Sequence, residues 1–139
     1  FIFTAATPEY ADYILDIIED YDRGRYFIGR YYRQHLSEGN YNNNFMPYKN
    51  INSILKDIPS GLEKFNRTIL IDDLEHNFYI NKDNGIQIKP YTNDENDKAL
   101  YILIPHLINF SLNKNISIKT FMNNNINYLV CTNFFNKIK

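Results

Sequence analysis

The chain has no tryptophan, and only one cysteine, five glycines and five prolines among 139 residues. A single cysteine, Cys131, excludes an internal disulfide framework and a cysteine-rich zinc site. An excess of either charge is also missing. The 15 Lys and Arg stand against 16 Asp and Glu, a net charge of −1, so nothing draws the whole molecule to nucleic acid or to an anionic membrane surface. No apolar run approaches the roughly 20 residues that cross a bilayer. No signal peptide, basic cluster or lipidation motif occurs in these residues, and cellular location is not legible from them. The expected partners therefore include neither nucleic acid nor membrane.

What the chain has in quantity is asparagine and isoleucine, 21 and 20 residues, together with 12 Tyr and 10 Phe. The tracts Asn40-Tyr41-Asn42-Asn43-Asn44 and Asn123-Asn124-Asn125 read as coding bias that fills loops and helix surfaces, not as a ligand site. The aromatics enlarge the core that one domain of this length can build.

Phe1-Ile2-Phe3-Thr4 is a short apolar run ending in a hydroxyl, as in a buried parallel strand. It opens without a turn or polar leader and reads as a chain entered in mid-strand. Thr7-Pro8-Glu9 then supplies an N-cap, a proline at the first helical position and an acid in the first turn. Tyr10, Ala11, Ile14, Leu15 and Ile18 follow helical spacing, which predicts a helix from about Pro8 to Asp20, closed by Gly24.

Tyr26 to Gln34 reads as a strand, and His35 to Pro47 as irregular chain with Gly39-Asn40 as its strongest turn signal. Lys49 leads into a helical pattern (Ile51, Ile54, Leu55, Ile58) stopped by Pro59-Ser60-Gly61. Thr68 to Ile71 is a second apolar strand, ending in Asp72-Asp73. Ile86-Gln87-Ile88 is a third, and Asp97 to Ser111 a helix with Pro105 expected to kink it. Asn113 to Lys139 reads equally as helix plus strand or as a loose tail. Alternating strands and helices predict an α/β fold with a mostly parallel sheet.

Ligands of such sheets sit beyond the carboxyl ends of the strands, which singles out Thr4 and Asp72-Asp73. Adjacent carboxylates are costly to hold together without a cation, and Mg²⁺ favours one or two of them plus water and phosphate oxygens. The Thr4 hydroxyl and the amides of Ala5 and Ala6, ahead of a helix N-terminus, suit phosphate oxygens, and Lys49 adds a point charge. Taken alone, Thr4 reads first as a helix-capping or turn residue and Lys49 as a solvated surface lysine. Together and in this order they look like parts of a Mg²⁺-assisted phosphoryl-transfer site.

Phe3-Thr4-Ala5-Ala6-Thr7-Pro8-Glu9-Tyr10-Ala11-Asp12 resembles the second motif of the haloacid-dehalogenase superfamily. More narrowly, it resembles the FCP/SCP-like phosphatases of the RNA polymerase II C-terminal domain. The likeness runs on through Tyr31-Tyr32-Arg33, Gly39-Asn40-Tyr41, Tyr48-Lys49-Asn50-Ile51, Ile69-Leu70-Ile71-Asp72-Asp73 and Asn84-Gly85-Ile86-Gln87-Ile88, and covers about residues 1–111. Residues 112–139 would be a C-terminal extension. The resemblance implies a three-layer haloacid-dehalogenase-like fold with an inserted β-element at about 26–47, and a protein-serine/threonine phosphatase that takes a phosphorylated protein or peptide and uses Mg²⁺. It implies that Thr4 binds the transferring phosphoryl group, that Lys49 neutralises its charge, and that Asp73 helps hold Mg²⁺ with Asp72 as second ligand or orienting group. Ala5, Tyr31 and Tyr32, with Tyr26 and Phe27, would face the substrate, although the plainer reading of these aromatics is that they pack the insert.

The family's nucleophile and its acid/base partner belong to an Asp-x-Asp-x-Thr strand ahead of these motifs, and no copy occurs here. Asp20-Tyr21-Asp22 has the spacing but is followed by Arg23-Gly24 and comes after the second motif. The expectation is that these residues alone show no phosphatase turnover. The alternative is a non-catalytic peptide-binding module of the same fold, the use to which a mitochondrial translocase component of this family puts a related domain.

Overall fold

A computed structural model describes residues 1–58 and 62–138. It is a mixed α/β molecule with four α-helices and small sheets among the described residues. Strand β1 (Ile2–Phe3) leads through Thr4 into helix α1 (Pro8–Asp22), which returns to strand β2 (Arg30–Tyr31), parallel to β1. Proline at the first helical position favours the start of α1. It runs two residues past the expected Asp20, and the residue that closes it lies one position before the expected Gly24. Arg23, not Gly24, takes the left-handed conformation (φ 52°), and its amide returns to the carbonyls of Glu19 and Asp20. The strand expected over Tyr26 to Gln34 shrinks to two residues, because a 3₁₀ turn at Arg33–His35 follows at once.

Residues 35–47 are not irregular. Strands β3 (Ser37–Tyr41) and β4 (Asn44–Tyr48) form an antiparallel hairpin with Asn42-Asn43 as its two-residue loop. Both loop residues have positive φ, 49° and 64°, as the hairpin twist demands, and asparagine tolerates that region better than any residue but glycine. Gly39-Asn40, the expected turn, lies inside β3 opposite Met46 and Phe45. Gly39 is needed there for another reason: a Cβ would crowd the rings of Tyr48 and Tyr79.

Helix α2 (Ile51–Leu55) is capped by the Asn50 side chain, which accepts from the Asn52 amide at 3.0 Å. The proposed stop signal Pro59-Ser60-Gly61 lies outside the described residues. Strand β5 (Leu70–Asp72) pairs in parallel with β6 (Gly85–Ile88), which pairs antiparallel with β7 (Phe135–Asn136). Between β6 and β7 run α3 (Ala99–Leu112) and α4 (Ile118–Cys131). Asp97 accepts the Ala99 amide at 2.7 Å and starts α3, and Pro105 does not end it. Thus residues 112–138 are helix plus strand, and they share the core of what precedes them. Ile86, Leu103, Phe110, Phe121, Leu129 and Phe135 are buried together.

Among the described residues the strands form three separate sheets, β1-β2, β3-β4 and β5-β6-β7, where the sequence predicted one mostly parallel sheet. Two of the four pairings are parallel. Strands β1 and β5 flank a mainly apolar groove of about 290 Å³, floored by Ile51, Ile54 and Leu55 of α2. A second apolar cluster, Ile51, Leu55, Leu70 and Phe78, joins α2 to β5.

Candidate functional site

Lys49 sits between the end of β4 and the start of α2, a buried lysine bonded to the buried carboxylate of Asp72 at the end of β5. Its ammonium also lies 5.8 Å from the centre of the Phe3 ring, at the end of β1. The ends of β1 and β5 and the start of α2 therefore converge on one cation. A buried lysine is costly unless paired and hydrogen-bonded, so burial and pairing go together here.

Asp72 is held on both oxygens. Oδ2 takes Lys49, while Oδ1 accepts the Leu74 amide at 2.9 Å and the Asn77 side-chain amide at 2.8 Å. Such saturation makes it a fixed anion that orients the lysine. Asp73 differs. Its carboxylate makes no hydrogen bond or ion pair among the described residues, and it is half-buried on a cavity of about 460 Å³ shared with Ile88, Lys89 and Asp97. One free carboxylate is within the one or two that Mg²⁺ takes beside water and phosphate oxygens. No group of three or more acidic, histidine or cysteine side chains suited to a metal occurs among the described residues, so the fit is that of a partial site.

Thr4 follows β1. Its amide donates to the Tyr31 carbonyl at 2.9 Å, and its hydroxyl accepts from the Ala6 amide at 3.1 Å, which leaves the hydroxyl proton to donate elsewhere. The Ala5-Ala6 turn is pinned from outside by Arg33, whose Nε donates to the Ala5 carbonyl at 2.8 Å and whose amide donates to the Ala6 carbonyl at 3.0 Å. Tyr31 packs its ring against Phe1, Phe3 and His35. The Tyr32 hydroxyl donates to Asp12 of α1 at 2.7 Å. That bond pushes the Tyr32 hydroxyl pKa up, and the same bond, aided by Arg30, holds the Asp12 carboxyl below its usual range.

These observations come together with the comparisons. The profile of the NLI interacting factor-like phosphatases matches residues 1–120. The chain belongs to that family. Among curated proteins, CTD small phosphatase-like protein 2 of Dictyostelium discoideum is 32% identical over 108 residues, which are 76% of this chain and 16% of that protein. A probable C-terminal domain small phosphatase of the same organism is 30% identical over 108 residues, 76% of this chain and 30% of that one. Nuclear envelope morphology protein 1 of Schizosaccharomyces pombe is 31% identical over 106 residues, 76% and 20% of the two chains. The chain thus spans less than a third of each of these relatives. Membership implies a haloacid-dehalogenase-like fold and a phosphatase-like function, and CTD phosphatases of that superfamily generally use Mg²⁺.

Within this NLI interacting factor-like domain, sequence reasoning singled out Thr4, Lys49, Asp72 and Asp73 but missed the groups that support them. Asn77 and Arg33 carried no signal of their own. Asn77 falls in a family of 21 asparagines, and Arg33 was noted only as part of a motif.

Proposed function

We propose that this chain is the phosphate-recognising part of a protein-serine/threonine phosphatase that acts on phosphoserine peptides, and that it is inactive as these residues alone. The Lys49–Asp72 pair, buried where β1, α2 and β5 converge, carries the reading. A phosphoryl group at this rim meets the Lys49 ammonium, whose direction Asp72 fixes. The Thr4 hydroxyl and the Ala5 amide supply hydrogen bonds to its other oxygens. Asp73 is the residue that would hold Mg²⁺, which when bound neutralises charge on the transferring group.

What these side chains lack is a nucleophile. Thr4 and Lys49 bind and orient, but phosphoryl transfer of this class runs through a carboxylate that attacks phosphorus and a second group that moves the proton. Loss of a nucleophile costs about 10⁶-fold in a serine protease, so binding groups by themselves leave no useful rate. The groove between β1 and β5 is the natural seat for an apolar strand that would bring an Asp-x-Asp-x-Thr segment to the same rim.

The test is hydrolysis of a phosphoserine peptide with Mg²⁺ by two proteins: the chain as given, and the chain with an apolar strand ending in Asp-x-Asp-x-Thr fused ahead of Phe1. The expected result is turnover by the fusion only, abolished by Lys49→Gln in that background. Turnover by the unfused chain overturns its inactivity. Absence of turnover in both, with unphosphorylated peptide still bound, replaces the phosphatase reading with the peptide-binding module.

A further inference from the structure

Two buried asparagines bracket the Lys49–Asp72 pair. Asn77 and Asn81 are one helical turn apart in the segment after β5, and each is almost fully buried, at 6% and 4% exposure. Asn77 donates its side-chain amide to Asp72 Oδ1. Asn81 accepts the Ile51 amide on Oδ1 at 3.0 Å, at the start of α2 and two residues beyond Lys49. One asparagine therefore grips the carboxylate and the other grips the backbone that carries the ammonium. The segment itself is anchored. Phe78, between the two, is fully buried in the cluster with Ile51, Leu55 and Leu70, and Tyr79 packs edge-on to Tyr48, the neighbour of Lys49, at 5.1 Å between ring centres.

We propose that Asn77 and Asn81 are positioning residues that act through Asp72 and α2 to fix the direction of the Lys49 ammonium. Neither reaches the phosphoryl site itself. A carboxylate bonded only to a lysine can rotate about its Cα–Cβ and Cβ–Cγ bonds and take the ammonium with it. A carboxylate whose other oxygen is held by a backbone amide and a rigid, buried side-chain amide cannot. The same logic explains asparagine over aspartate at position 77: the group facing Asp72 must donate, and an ionised carboxylate only accepts. It deepens the phosphatase reading by naming what aims its cation, and it rests on that reading only for the use to which the cation is put.

The test is ammonium NMR on the ¹⁵N-lysine-labelled full chain. An ammonium locked in a buried pair exchanges slowly and gives a resolved ¹H–¹⁵N signal for Lys49, assigned by its loss in Lys49→Gln. Asn77→Leu, close in volume but without a donor, and Asn77→Asp, the isostere with the wrong polarity, are both expected to broaden that signal beyond detection while the backbone amide spectrum stays dispersed. Tungstate, a phosphate mimic, is expected to bind either variant about five- to tenfold more weakly than wild type, the scale of one lost charge-assisted hydrogen bond discounted for partial replacement by water. An unchanged Lys49 signal in both folded variants overturns the proposal. If neither variant folds, the wild-type chain decides, because an Asn77 side-chain amide that exchanges at the rate of a free asparagine also overturns it. Wild-type protein that keeps the Lys49 signal but does not bind tungstate counts against the phosphate-binding role and leaves the clamp standing.

Discussion

Two cations flank strand β1, Lys49 beside the Phe3 ring and Arg30 opposite Ile2, and they do so in different surroundings. Lys49 has one carboxylate partner, Asp72, and both are buried. Arg30 of β2 has three, Asp12, Asp16 and Glu19 of α1, at 2.8, 2.8 and 2.7 Å, on a surface where the Asp16 side chain is 61% exposed. The Lys49 region is also backed by the apolar cluster of Ile51, Leu55, Leu70 and Phe78, whereas among the described side chains of α1 Ala11 and Leu15 are buried and Tyr10, Tyr13, Ile17 and Tyr21 face solvent. The number of ion pairs is thus a poor guide to their worth. Water screens the larger cluster, and desolvation makes the smaller one indispensable once it is formed.

The largest expected effect breaks the buried side of this contrast. Lys49→Met strands the Asp72 carboxylate in the interior and should destabilise the chain by about 3–5 kcal/mol, read from urea midpoints at neutral pH. Arg30→Met, which removes three ion pairs instead of one, should shift the same midpoint much less.

A smaller effect sharpens the contrast through pH. Backbone amides of Phe27 and Tyr26, then Arg30, hold the Glu19 carboxyl below its usual 4.5, and Tyr32 and then Arg30 do the same for Asp12 below 3.8. Because both values are depressed in the folded chain, their contribution is complete above the ordinary carboxylate range and is lost as pH falls through the depressed values. Urea midpoints should therefore decline as pH falls from about 5 to 3, and the decline should be shallower in Arg30→Met. An identical slope in the two proteins would show that Arg30 does not set these carboxyls. The smallest effect is on the open face of α1, where Ile17→Ser should change stability by less than about 0.5 kcal/mol, since that side chain is half exposed already.

What was legible in the sequence divides along a similar line. Helix α1 announced itself through Thr7-Pro8 and a 3.6-residue apolar spacing, and α3 through its leucines and isoleucines. Strand β5 was clear because three apolar residues run straight into Asp72-Asp73. The ion pair between Lys49 and Asp72 spans 23 residues, and no local pattern encodes it. Nor does any local pattern encode a two-residue strand such as β2, which exists only because β1 lies beside it.

The hairpin loop is not legible from turn propensity, because Gly39 is the stronger turn signal and yet lies inside β3. This chain uses asparagine instead. Of the five described non-glycine residues with positive φ, four are asparagines (Asn42, Asn43, Asn93 and Asn133), and no described glycine has one. The compositional bias is therefore put to structural use: asparagine turns the backbone at the surface, bonds it in the interior at Asn81 and Asn84, and holds the Asp72 carboxylate at Asn77.

Strand β7 carries a last implication, one of timing. Its residues 135–136 pair with β6 at residues 87–88, and Phe135 fills the core beneath α3 and α4. During synthesis the β5-β6 edge, with Ile86 and Gln87, has emerged long before its neighbour has been translated. At the ordinary ribosomal pace of about 5–20 residues per second, the gap of nearly fifty residues leaves that edge open for seconds. A nascent chain in this interval presents an unpaired, isoleucine-rich strand, the kind of edge that chaperones cover.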